Sequence, residues 1–371
     1  MKPRLLLMGC GGIGGTLATA LVKADHEVII VTHNAAIAEA IGARGLEVVD
    51  GGERHYTRAA AHVDVPADAG RFDFIFLATQ PPQLEEAAHA AAPFLAPGGA
   101  MVCFQNGLCE HRVAAIVGDA RTLGAIVAWG ASMLAPGVYE RTSAGGFVIG
   151  HLDGDTRDPR LATLASLLSA VGPVTVTDNL AGSRWSKLAI NCAISSLGCI
   201  GGDRLGVLLR HRFVRRLGLE VMTEAVAVAR ACGVRLEKVS GTIDLDWVAL
   251  TPADVISPGS PTLLAKHALL LAVGAKFRRL RSSMLAAIER GREPAVDYLN
   301  GEVVTRGIQH GVATPLNARI RTVIHAVARG ERRPSLELLQ QLYDESRDDA
   351  GPTSRSRLPF DGAPIEAAPP A

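Results

Sequence analysis

An α/β first half followed by an all-helical second half is the fold class the sequence predicts. Short apolar runs alternate with helical patterns through the first half. The first run opens into a glycine-rich turn and then a helix. Beyond about residue 180 the strand signal nearly vanishes, and helical patterns dominate to about Leu342.

Residues 4–8, 27–32, 73–79, 101–106 and 122–130 read as strands, with 46–50 a weaker candidate that would be third in order. Residues 13–24, 35–45, 82–95 and 109–117 read as helices. Nearly continuous apolar strands separated by helices form a parallel sheet covered on both faces. Residues 137–142 and 145–150 look like late antiparallel additions. Segment 151–159 is polar and rich in Gly and Asp, but a helix (160–171) and a strand (174–177) follow, so it is a loop. The boundary falls at 178–182, which gives a first domain over 1–179 and a helical domain over 180–343. Residues 344–371 are rich in Ser, Arg, Asp and Pro and read as a disordered tail.

About half of the 371 residues are hydrophobic (48%), so two ordinary cores can be buried. A net charge of +1 argues against a nucleic-acid surface. None of the six cysteines forms a CxxC pair, and no Cys/His group has zinc spacing, so no metal is expected. They read as reduced core residues of a cytoplasmic protein. The apolar run at the N-terminus is too short for a secretory signal, and no stretch is long enough to span a membrane.

Gly9-Cys10-Gly11-Gly12-Ile13-Gly14 carries the chemistry of the first half. Gly9 permits a tight turn after the strand, Gly11 lets a pyrophosphate approach the backbone, and Gly14 lets helix and strand pack closely. The phosphates would sit at a helix N-terminus, where free N–H groups favour anions. Strand, glycines and helix in that order are the context of a Rossmann dinucleotide site. NAD-type sites place a carboxylate at the end of the second strand. Here that strand ends Val31-Thr32-His33-Asn34, where three side chains could donate to a 2′-phosphate. The lean is to NADP, with NAD left open.

Asn106-Gly107 ends another apolar strand, on the side of the sheet where ligands bind. The Asn106 amide can donate and accept, which suits a carboxamide or a substrate oxygen. Asn-Gly is equally a good turn, and position alone does not separate the two. In the second half, residues 186–197 are apolar almost all round, yet Lys187, Asn191 and Ser195 recur every fourth residue on one face. One lysine and two small neutral groups fit the wall of a wet cleft better than open solvent. A partly desolvated lysine can serve as proton donor for carbonyl reduction; the competing reading is a lysine that snorkels to the surface.

Taken together the chain resembles the ketopantoate reductase family over about Lys2 to Ala328. The resemblance rests on Gly9-Cys10-Gly11, Asn106-Gly107, Trp185-Ser186-Lys187-Leu188-Ala189-Ile190-Asn191-Cys192, Ser282-Ser283-Met284-Leu285, Asp297-Tyr298-Leu299-Asn300-Gly301 and Gly311-Val312-Ala313-Thr314-Pro315-Leu316-Asn317. It implies NADPH-dependent reduction of 2-dehydropantoate to pantoate, with Lys187 as general acid. It implies that Asn106, Asn191 and Ser283 hold or orient the substrate, in a cleft between the domains. Ser195 stands where the family has a further asparagine. His33 and Gln80 stand where it has a cofactor-binding arginine and lysine. Ala295 stands where it commonly has a glutamate, with Glu293 nearby but out of register. Between Val239 and Arg281 the chain is also longer than compact members. These departures weaken ketopantoate as the specific substrate and NADP over NAD. Two other classes stay open: a dehydrogenase of 3-hydroxy acids and a non-catalytic NADP(H) sensor. The partner is a small 2-oxo acid, neither nucleic acid nor membrane, and a homodimer is left open.

Overall fold

The computed structural model describes residues 2–239, 243–257 and 259–348. It divides into two compact units, the first ending at Arg184 and the second beginning at Trp185.

The strands of the first unit are β1 (Leu5–Met8), β2 (Val28–Val31), β3 (Leu46–Asp50), β4 (Glu53–Thr57), β5 (Ala61–His62), β6 (Phe72–Leu77), β7 (Leu95–Cys103), β8 (Thr122–Val127), β9 (Ala131–Ala135), β10 (Val138–Arg141), β11 (Phe147–His151) and β12 (Val174–Val176). Its helices are α1 (Gly12–Lys23), α2 (Ala35–Arg44), α3 (Leu84–Ala91), α4 (Glu110–Val117) and α5 (Pro159–Leu168). Eight strands form one sheet in the order β12-β11-β8-β7-β6-β1-β2-β5. From β5 to β8 every pairing is parallel, and β11 then runs antiparallel to β8. All four side chains of β1 are buried, as a strand with both faces covered requires. Phe76, Phe104, Phe147 and Trp129 meet edge to face in succession across the core, at centroid distances of 5.6, 6.2 and 5.8 Å.

A second sheet, β4-β3-β10-β9, departs from the sequence expectation. Residues 46–50 are a strand, third along the chain, but they leave the parallel sheet. Leu46 and Val48 are buried while their neighbours are half-buried, the pattern of a strand with one covered face. Gly51 and Gly52, both at positive φ (59° and 90°), close the β3–β4 hairpin. The two-residue β5 takes the place beside β2. Of the two late antiparallel additions, β11 joins the main sheet, whereas β10 pairs with β3 and β9 in the small one.

Helix α6 (Leu180–Gly201) runs from the first unit into the second, and Asn179 caps it by accepting from the Gly182 N–H at 3.0 Å. Then come α7 (Leu205–Leu208), α8 (Arg212–Ala231), α9 (Leu245–Val248), α10 (Pro252–Ile256), α11 (Pro261–Lys276), α12 (Ser283–Glu289), α13 (Asn300–Gln309), α14 (Pro315–Ala328) and α15 (Leu336–Asp348). The extra length after Val239 folds into α9–α11 around Asp254. Its fully buried carboxylate accepts from Lys266, Thr262, Ser260 and Thr251 at 2.6–3.0 Å. Helix α15 extends through Asp348, so the first five residues of the segment expected to be disordered, 344–348, are helical. Tyr343 packs on Phe213 and Arg347 pairs with Glu220, contacts a composition argument does not see. Residues 349–371 lie outside the described residues.

Candidate functional site

The glycine run sits between β1 and α1 and divides its labour by position. Gly9 has φ +99°, and a Cβ there would come within 2.7 Å of the Thr79 backbone at the end of β6. A Cβ on Gly14 would meet the Gly9 carbonyl oxygen at 2.0 Å, one on Gly12 the Ala131 carbonyl oxygen at 2.6 Å, and one on Gly15 the Tyr139 ring at 2.1 Å. A Cβ on Gly11 would meet nothing within 4 Å. The first bond of α1 runs from the Gly15 N–H to the Gly11 carbonyl at 2.7 Å, so the Gly12, Ile13 and Gly14 amides precede the helix ladder. Backbone donors beside one open glycine fit an anionic dinucleotide backbone. Cys10 is turned the other way. Its side chain is buried, its thiol is pushed up to about 11 by burial, and both its Sγ and its carbonyl contact the Tyr139 hydroxyl, at 3.1 and 3.0 Å. Only its backbone remains for a ligand.

His33 follows β2, Gln80 follows β6 and Asn106 follows β7, so all three stand with the glycine run at the carboxyl edge of four adjacent strands. All three are exposed. Of the three side chains expected as donors after β2, His33 and Asn34 are exposed and Thr32 is buried. Asn34 caps α2, its side chain accepting from the Ile37 N–H at 3.3 Å. The Thr32 N–H pairs with the His62 carbonyl at 2.9 Å.

In the second unit Lys187, Asn191 and Ser195 are each half-buried along one face of α6, while their neighbours Leu188, Cys192 and Ser196 are buried. The backbone of Ser195 is tied to the start of α12. Ser282 donates to the Ser195 carbonyl at 2.6 Å and accepts from the Leu285 N–H at 3.2 Å. Ser283, the next residue, is exposed at the first position of α12. Ala295 is half-buried at the opening of a short 3₁₀ turn, and Glu293 is exposed.

Sequence reasoning missed a buried polar chain behind the stripe. Ser196 donates to Asn300 Oδ1 at 2.5 Å, and Asn300 Nδ2 donates to the Cys192 carbonyl at 3.2 Å and to Asn317 Oδ1 at 2.9 Å. Asn317 Nδ2 donates to Glu224 at 2.7 Å, and Glu224 also accepts from the Leu316 and Asn317 N–H groups, both at 2.9 Å. Thr314 makes no side-chain cap on α14, so Glu224, reaching over from α8, does the capping. Burial pushes its carboxyl up to about 7 against the pull of those donors. Asn300 and Asn317 both lie in quoted motifs, and that was the signal available for them.

All six cysteines are free and five are buried. Among the described residues, no helix is long and apolar enough to cross a membrane. Among the same residues, no group of three or more His, Cys, Asp and Glu side chains could hold a metal ion.

A dinucleotide-type α/β unit followed by a helical unit defines a class of oxidoreductases. Residues 5–154 match the family model described as "Ketopantoate reductase PanE/ApbA", and residues 179–328 match its C-terminal counterpart. The chain belongs to the ketopantoate reductase family. A 2-dehydropantoate 2-reductase of Mesorhizobium japonicum is 26% identical over 349 residues, 88% of this chain and 98% of the relative. That of Pyrococcus horikoshii is 24% identical over 324 residues, 87% and 97%. The crystal structure of a PanE/ApbA family ketopantoate reductase from Ralstonia eutropha JMP134 is 26% identical, with TM-score 0.73, covering 89% of this chain and 100% of that one. A D-mandelate dehydrogenase, solved with NADH and anilino(oxo)acetate, has the same fold at 20% identity and TM-score 0.75, covering 88% and 99%.

Proposed function

We propose that this chain is an NADPH-dependent reductase of a 2-oxo acid, with 2-dehydropantoate the first substrate to test. One observation carries the reading. Within the family's W-x-K-L-x-x-N motif, Lys187 heads a row of three half-buried polar side chains with only apolar residues between them along the helix. NADPH, when bound, supplies the hydride. The Gly12, Ile13 and Gly14 amides bind its pyrophosphate beside the open face of Gly11. His33 and Gln80 serve its adenosine end, where no carboxylate repels a 2′-phosphate. The Asn106 amide orients the nicotinamide carboxamide or the substrate oxygen. Lys187 gives a proton to the substrate's carbonyl oxygen and, while charged, stabilises the negative charge building there. Asn191, Ser195 and Ser283 hold the rest of the acid. We place the protein in the cytoplasm acting on a small molecule, and a homodimer is the assembly to look for by light scattering.

Ala295 and Ser195 favour a second reading, in which the acid differs from 2-dehydropantoate, since each replaces a polar anchor of the family. The experiment is NADPH oxidation against a panel of 2-oxo acids that includes 2-dehydropantoate, run beside oxidation of 3-hydroxy acids. Fastest turnover of 2-dehydropantoate establishes the first reading. A different 2-oxo acid establishes the second, and Ala295→Glu should then raise kcat/KM for 2-dehydropantoate relative to bulkier acids. Binding of NADPH with no turnover of anything would sink both in favour of a sensor.

A further inference from the structure

The turn that bears Asn106 is held by a group that belongs to neither motif. Arg184 is nine-tenths or more buried, as is Glu110, its partner. Arg184 Nε donates to Glu110 Oε1 at 2.6 Å, and Nη2 pairs with the same oxygen. Nη1 donates to the Gln105 carbonyl at 2.7 Å, and Nη2 to the Cys103 carbonyl at 2.9 Å.

Those carbonyls lie where strand pairing stops. β7 pairs with both β6 and β8 as far as Cys103, and neither register continues beyond it. In extended chain, carbonyls of residues two apart point to the same side. The planar fork of Arg184 takes both, as a further strand would, and so extends β7 by two residues to the threshold of Asn106. The other flank of Gln105 is fastened as well, its Nε2 donating to the Leu77 carbonyl at 2.9 Å. Glu110, in the first turn of α4, fixes the far side of the turn. One guanidinium therefore brackets residues 106–109 from both ends. Gly107, at φ +100°, supplies the reversal between them. The exposed Asn106 side chain stands on a backbone that cannot shift without breaking buried charge-assisted bonds. Lysine, a point charge on a flexible stem, does not replace a planar fork that meets three acceptors.

We infer that Arg184, with Glu110, is a positioning residue for the proposed reaction, acting through Asn106. The inference rests on the reading of Asn106 given under the proposed function. A buried ion pair can also be merely structural, so the test separates action through Asn106 from general loosening. It uses the full-length chain with NADPH, 2′-phospho-ADP-ribose (which lacks only the nicotinamide ring) and the best 2-oxo acid of the panel. Arg184→Lys should lower kcat by about 10- to 100-fold in the otherwise unchanged protein, in the range that misplacement of a reacting group produces. In an Asn106→Ala background it should lower kcat by less than about twofold, because residues acting as one unit are not additive. Affinity for 2′-phospho-ADP-ribose should stay within about twofold of the unchanged protein. Glu110→Gln, which keeps the shape and one acceptor oxygen, should show the same pattern more weakly, and it serves if Arg184→Lys fails to fold. Losses that multiply with Asn106→Ala, or an equal loss of 2′-phospho-ADP-ribose affinity, would overturn the inference and leave the proposed function standing. Full turnover in Asn106→Ala alone would overturn the Asn106 assignment, and this inference with it.

Discussion

At the carboxyl edge of the parallel sheet the groups we propose for the dinucleotide are largely backbone. The Gly12, Ile13 and Gly14 amides precede the ladder of α1, and Cys10 turns its side chain into the core. On α6 they are side chains, Lys187, Asn191 and Ser195, raised on an apolar helix and backed by the Ser196–Asn300–Asn317–Glu224 chain. A backbone site is damaged by adding atoms, because glycine's missing Cβ is what shapes it. A side-chain site is damaged by removing them. The two regions should therefore fail in different observables, and the predictions that follow probe that difference from the largest effect to the smallest.

Lys187→Ala should lower kcat by about 10²–10⁴, the usual contribution of a positioned acid. Dinucleotide affinity, measured by calorimetry, should hardly move, since the glycine run belongs to the other unit. Unchanged turnover on the best substrate would make the stripe structural and remove the chemistry assigned to the second unit.

Within the glycine run, Gly14→Val and Gly11→Val should separate stability from binding. A Cβ at Gly14 lands 2.0 Å from a backbone carbonyl that cannot step aside, so Gly14→Val should destabilise by at least about 1–3 kcal/mol, the cost of overpacking. A Cβ at Gly11 meets nothing within 4 Å, so in Gly11→Val denaturant midpoints should hold while NADPH affinity falls by about tenfold or more if that space belongs to the proposed ligand. Unchanged affinity for both NADPH and NADH in Gly11→Val would show that no dinucleotide passes there.

Glu224 makes the backing of the stripe sensitive to pH. Burial raises its carboxyl from 4.5 to about 7 in the folded chain, so the folded state binds the proton more tightly than the unfolded one. Its contribution is then fully present below pH 4.5 and is lost as pH rises towards 7. By linkage the loss is on the order of 3 kcal/mol. Glu224→Gln cannot ionise, so its stability should vary less than that of the unchanged protein across this window, as read by urea denaturation at several pH values. Equal slopes for the two proteins would mean that the three N–H donors outweigh burial and that the group is ionised throughout.

What was legible in advance follows the same division. The glycine run could be read because a turn, a close approach and a helix start each demand glycine, a constraint written in the residues themselves. Tyr139, which fills the space beside Gly15, could not be read, since a tyrosine 124 positions later in a strand of the small sheet carries no mark of its partner. Asn34 carries a second duty that the sequence does not separate from the first: its Oδ1 caps α2, while its Nδ2 can still donate. Residues 46–50 were found as a strand, but their sheet was not, because half-covered strands announce a face and not a neighbour. On α6 the spacing of Lys187, Asn191 and Ser195 is visible and suggests a cleft wall with a lysine donor, and the family motif favours that reading over a snorkelling lysine. Nothing beside Arg184 in the sequence marks its partner, because Glu110 lies 74 residues earlier and only the fold brings it there.

The smallest effect concerns the end of α15, where the second unit again relies on side-chain pairs. Arg347 pairs with Glu220, and its guanidinium lies 4.5 Å from the centroid of the Tyr343 ring. Glu220 keeps another partner if Arg347 is removed, because Arg216 holds it at 2.6 Å one helical turn away. Arg347 is also 37% exposed, so water screens both of its contacts. A chain ending at Tyr343 should therefore be less stable than one ending at Asp348 by no more than about 1 kcal/mol, the ceiling for a partly exposed pair. In thermal unfolding that is a difference of about 2–4 °C for a unit of this size. The ring packing of Tyr343 on Phe213 survives in both chains. Turnover should match between them, since none of these groups touches the α6 stripe. A drop well beyond this range would mean that the last turn of α15 holds α8 in place, and the second unit's helices would then depend on their ends as much as on the buried chain behind α6.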